Sequence, residues 1–188
     1  MKRKVVKLLC ALVLLVPMTA CEWAKAENQI DTVLLNFHRV VGYTEQTRKL
    51  IRSMEEDGTI KTEAALAWTK RVKRVVQYEE NAYQFVKLAI DMKEGRIHFA
   101  ASTKASAEAE LALIQAELAG ASSIGVDGKA GLQMDALLTP LTGTLNELVT
   151  AVRALPVSKR AVSVPPNTLA PISMRVKQLD VLFAEVGR

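Results

Sequence analysis

Cysteine is almost missing from this 188-residue chain: Cys10 and Cys21 are its only two, and both lie within the first 21 residues. No disulfide can form beyond them, so whatever folds there is held by packing alone. Histidine is as scarce. With only His38 and His98, the chain has no H-E-x-x-H, no C-x-x-C-H and no Glu-x-x-His pair, the spacings that present ligands to zinc, haem or a carboxylate-bridged metal pair. No serine stands in G-x-S-x-G, and no glycine run has the G-x-x-x-x-G-K-[ST] spacing of a phosphate loop. The residues therefore supply no catalytic set, no metal site and no cofactor site, and the protein reads as a non-enzyme. Aromatic residues amount to 5%, and the abundance of Ala, Val and Leu suits helices that approach closely on small side chains.

Positive charge is scarcer than the formal +5 suggests. Four of the 25 basic residues, Lys2, Arg3, Lys4 and Lys7, precede Cys21, and no acidic residue does, which leaves 21 basic against 20 acidic side chains. Once those residues are set aside the chain is close to neutral, and the charge argument for a nucleic-acid partner goes with them.

What is present at the start is an address. The basic residues are followed by the apolar run Leu8–Val16, then by Pro17 and small side chains, the three regions of a secretory signal. The run falls short of the roughly 20 apolar residues that span a bilayer. At its end Met18-Thr19-Ala20-Cys21 resembles the lipobox of bacterial lipoproteins, with Met18 where the pattern favours leucine. The resemblance covers the signal alone. It implies cleavage between Ala20 and Cys21, acyl chains such as palmitate on Cys21, and a periplasm-facing anchor in the cell membrane or outer membrane. Ala24-Lys25-Ala26 offers a second, ordinary cleavage site, after which a soluble periplasmic chain would begin at Glu27.

Beyond the tether 21–26 the pattern is helical. Ile30, Val33, Leu34, Phe37, Val40, Val41, Thr44 and Ile51 recur at spacings of three and four, one face of a helix that ends at Asp57-Gly58. A second helix, capped by Thr59 or Thr62, carries Ala64, Trp68, Val72, Val75, Val76, Ala82, Tyr83, Val86 and Ile90 on one side. Ile97, Ala100, Ala107, Leu111, Ile114 and Leu118 mark a third. Residues 120–131, with four of the nine glycines, form a loop, and Met134 to Leu155 a fourth stripe that stays in phase across Pro140, as a kink or tight break would allow. The expected architecture is all-α: an up-and-down four-helix bundle over 27–155, a proline-rich extended connection over 156–170, and a short C-terminal helix over 171–188.

Two charges interrupt the apolar faces. Arg48 lies five helical turns after Ile30, and Glu79 sits among Val75, Val76 and Tyr83; buried charges require partners. A hairpin turning at Asp57-Gly58 sets residues whose numbers sum to about 117 at one height. That pairs Arg48 with Trp68, as a cation–π contact worth about 0.5–2 kcal/mol, and Glu79 with His38. Lys70, Arg71, Lys73 and Arg74 form the densest basic cluster, a solvated helix face or a patch for an anion or partner. These features point to a lipid-anchored envelope protein that binds another envelope protein. The alternative is a periplasmic small-ligand carrier or sensor, with a polar interior near Arg48, Glu79 and His38.

Overall fold

The computed structural model describes residues 2–91, 95–121, 126 and 128–187, with side chains from Glu27 onward except Asp91. Cys21 and both candidate cleavage sites fall outside the residues whose side chains are described. Five helices make up the described chain: α1 (Lys2–Glu56), α2 (Thr62–Leu88), α3 (Ala101–Ala119), α4 (Gly128–Ala154) and α5 (Pro166–Val186). The fold is an all-α bundle.

Gly58 reverses the chain between α1 and α2. Its φ of +73° lies in the left-handed region that glycine tolerates, and the N–H of Ile60 donates to Met54 O at 3.1 Å to close the turn. Neither threonine caps α2. Asp57 Oδ1 accepts the Thr59 N–H at 2.9 Å instead, and Lys61 occupies the capping position without a side-chain bond.

The other connections also depart from the sequence pattern. Ile97 and Ala100 do not belong to α3: Ile90–Asp91 (β1), Arg96–Ile97 (β2) and Val162–Ser163 (β3) pair antiparallel in the order β1-β2-β3. Strands of two residues are too short to show alternation in a sequence. Gly95, at φ +63°, lets β2 start against Val164, whose N–H donates to Gly95 O at 2.6 Å. Helix α4 begins at Gly128, inside the stretch expected to be a loop, and continues through Pro140 as one helix. Helix α5 starts five residues early, at Pro166. Proline fits a first helical position because its fixed φ is already helical and an N–H there would have no intrahelical partner; the N–H groups of Thr168 and Leu169 donate back to Pro165 O.

Contacts between helices fix the directions. Gln115 pairs with Asn146 and Arg153 with Glu108, so α3 and α4 are antiparallel; Asp31 meets Arg175 and Arg48 meets Val186, so α5 runs parallel to α1. Helix α1 packs on α2, α4 and α5 at once. The main core gathers Phe37, Val41, Tyr83, Leu111, Ile114, Leu145, Leu148 and Leu179, and a second, distal core holds Ile51, Met54, Ile60, Trp68 and Met134 near the Gly58 turn. Tyr83 locks α5 in place: its ring meets Phe37 edge-on at 5.8 Å and stacks on Phe183 at 5.0 Å, and its hydroxyl donates to Val176 O at 3.1 Å. At the opposite face Lys104 donates to Arg153 O and Leu155 O, satisfying carbonyls at the end of α4.

Leu145 is fully buried in the main core, so Leu145→Ala removes packed methylenes and leaves a cavity. A loss of about 2–5 kcal/mol is expected, read as a lower denaturant midpoint with an unchanged m-value.

Candidate functional site

The apolar face of α1 carries two threonines among its hydrophobic residues, Thr44 and Thr47, both buried. Thr47 turns its hydroxyl back to Tyr43 O, as threonine commonly does within a helix. Thr44 has a second acceptor within reach across the helix pair: Oγ1 lies 3.1 Å from Val40 O and 2.5 Å from Oε1 of Glu79. Glu79 is completely buried, and its Oε2 has no hydrogen-bond partner among the described residues. Burial pushes its carboxyl up to about 8, against the opposing pull of the Thr44 hydrogen bond.

The neutral acid suits this arrangement better than the anion. Thr44 has one proton for two acceptors. When Glu79 is protonated, its O–H donates to Thr44 Oγ1 and the threonine proton goes to Val40 O, so both contacts are hydrogen bonds together. When Glu79 is ionised, Thr44 serves the carboxylate and leaves Val40 without it.

The sequence-predicted interior cluster does not assemble. Glu79 is buried as expected, but its partner is Thr44, and His38 lies exposed on the other flank of α1, beside Met174, Lys177 and Glu185 of α5. Arg48 is half-exposed and does not stack on Trp68. Its guanidinium pairs with Glu45 at 2.9 Å and donates to Val186 O at 3.1 Å, at the end of α5. Arg48 shares the helical direction of buried Ile30, but it stands level with the end of α5, where the covering helix stops and leaves it half open to solvent. Trp68 packs in the distal core. The cavity where the two cores meet, lined by Thr44, Thr47, Trp68 and Arg71 among others, measures about 10 Å³, about the volume one water requires.

The basic cluster is divided. Lys70 and Lys73 are exposed, whereas both arginines are committed to the end of α3. Arg74 holds the Glu117 carboxylate with two bonds, at 2.6 and 2.9 Å, and Arg71 donates to Glu117 O. The Arg74 hydrogen bond, outweighing the burial that opposes it, keeps the Glu117 carboxyl below the usual carboxylate range. Arg71 also explains Gly120, because a Cβ there would stand 2.8 Å from Arg71 Nη1. Cations at the last turn of a helix complement its dipole and its free carbonyls. Two of the four predicted patch residues thus join α2 to α3.

Two larger recesses among the described residues are open grooves on the surface. One, of about 640 Å³ between α1 and α4, is lined by Asn28, Thr32, Asn36, Asn146, Glu147 and Thr150, with Asn36 buried in its floor. Another of about 640 Å³ lies between α1 and α5 and includes His38. Among the described residues no group of three or more His, Cys, Asp or Glu side chains is placed to hold a metal ion. Comparison with protein-family models, curated proteins and solved structures finds no match.

Glu79 makes stability depend on pH in a defined direction. Its folded-state value of about 8 stands above the ordinary 4.5, so its neutral form stabilises the fold fully below that ordinary value and the contribution is lost as pH rises through 8. Glu79→Gln keeps a donor for Thr44 and does not ionise. Chemical denaturation is expected to show the two proteins closely matched near pH 5 and the glutamine variant more stable above pH 8; parallel pH profiles would refute the buried neutral acid.

Proposed function

We propose that this chain is a lipid-anchored interaction protein of a bacterial envelope, tethered at Cys21 and presenting a rigid helical bundle to another envelope protein. The observation that carries the reading is Met18-Thr19-Ala20-Cys21 placed directly behind the apolar run Leu8–Val16. The path of the backbone is in keeping with it. Cys21 lies within α1, six residues before Glu27, so an anchor there would join the bundle through about 9 Å of helix. Two or three acyl chains hold a protein on a membrane far more firmly than one, at about 0.8 kcal/mol per buried methylene. Among the described residues no helix is long and apolar enough to cross a membrane itself.

The bundle favours recognition on its outside. Among the described residues Arg48, Glu79 and His38 do not come together around one cavity, and the space beside Thr44 is too small for an organic ligand. The open grooves along α1 are broad enough for side chains of a partner, and their amide and hydroxyl lining supplies both donors and acceptors.

Intact mass of the mature protein tests the anchor. Diacyl or triacyl Cys21 is expected at the N-terminus, with the protein in the membrane fraction, and Cys21→Ser is expected to lose both. An unmodified chain beginning at Glu27 would overturn the reading.

A further inference from the structure

An anchor at Cys21 joins the bundle at a chemically distinct end. Asn28 of α1 and Ala154 of α4 line the same groove, so the segment after α4 emerges where α1 enters the bundle. The same end holds the three-stranded sheet, with the end of α2 and the starts of α3 and α5.

This end combines uncovered apolar side chains with positive charge. Leu88 is 78% exposed, Val157 52% and Val162 42%. Residues 153–165 contain Arg153, Lys159 and Arg160 and no acidic residue. Arg153 has Glu108 at 3.8 Å, while Lys159 and Arg160 are exposed and have no ion-pair partner among the described residues. Exposed Arg96 stands on the central strand between Asp91 and Ser163, so its charge has an acidic neighbour in the sheet. The opposite end, at the Gly58 turn, exposes Glu55, Glu56 and Asp57 together with Arg52, Lys61 and Lys129, so charges of both signs are mixed there.

We infer that the sheet end, through Val157, Lys159, Arg160 and Val162, is a membrane-contact face that rests on anionic phospholipid headgroups; this builds on the lipid-anchor reading. Valines flanked by lysine and arginine suit the boundary between headgroups and acyl chains, where apolar side chains enter and cations stay with phosphate. Seven residues of helix separate Cys21 from Asn28, about 10 Å, comparable with the screening length of about 8 Å at physiological salt. Long basic side chains bridge the remainder. The contact fixes how the bundle stands: one lipid-modified residue alone leaves it free to swing, whereas the basic sheet end holds it upright with the Gly58 turn pointing away.

The test uses the full, acylated chain on vesicles containing anionic and zwitterionic phospholipid. Cys10 departs with the signal and the Cys21 sulfur is blocked by its lipid, so Val162→Cys or Glu55→Cys introduces a single free thiol for an environment-sensitive fluorophore. At Val162 emission is expected to shift to the blue and to be lost when nitroxide-labelled lipid is added, and at Glu55 neither is expected. Lys159→Glu with Arg160→Glu should abolish quenching at Val162 while the protein stays on the vesicles. A bound chain whose Val162 site is unquenched overturns the inference alone, leaving that face to an acidic protein or a second copy. Equal quenching on purely zwitterionic vesicles overturns recognition of anionic headgroups. Failure to bind any vesicle overturns the anchor and this inference together.

Discussion

Helix α1 buries one continuous face against three helices, and the rest of the bundle is arranged around that demand. Val33, Phe37, Val40, Thr44 and Ile51 are all essentially inaccessible to water, and α2, α4 and α5 each cover part of them. With no cysteine beyond Cys21, this burial is the main source of cohesion, at about 25 cal/mol per Å² of apolar surface removed from water. Polar contacts then choose among the ways of packing. Tyr83 and Lys87 bind α5 through Val176 and Asp180, and Arg71 and Arg74 bind α3 through Glu117.

Glu79 and Thr44 are a different kind of contact. A charge at that depth would require a buried counter-charge, whose desolvation costs as much again. A shared proton requires only a hydroxyl. The pair fixes the height of α2 against α1 without an ion, and Arg48, Arg71 and Arg74 do their work at helix ends, where partial access to solvent reduces the cost of their charge.

Much of this was legible in the residues, and the failures have physical causes. The stripes of α1, α2 and α4 were readable because burial repeats with the helical turn, and Gly58 because a reversal there demands a left-handed φ. The depth of Glu79 followed from its valine and tyrosine neighbours. Its partner did not, since searching for opposite charge selects His38, while a threonine inside an apolar stripe passes as a small core residue. The signal for Thr44 was present: a hydroxyl in the core of the facing helix. Arg48 was misplaced because a helical wheel gives a direction but not which neighbour fills it, and α5 covers that flank. The third strand depends on contacts between segments over sixty residues apart, such as Gly95 with Val164, which no local pattern encodes; the early start of α5 had a local signal, since Pro165-Pro166 serves a helix start as readily as an extended connection.

The route of α1 also has a mechanical meaning. Its described helix extends from Lys2 to Glu56 without interruption, so a pull applied near its start is carried along the axis of the one helix that touches three others. Such a load acts in shear on the α1–α2, α1–α4 and α1–α5 seams together, and none of them can be peeled open one residue at a time. A partner held at the far turn would therefore tug on the whole core at once, with tension shared between its buried side chains from Ile30 to Met54.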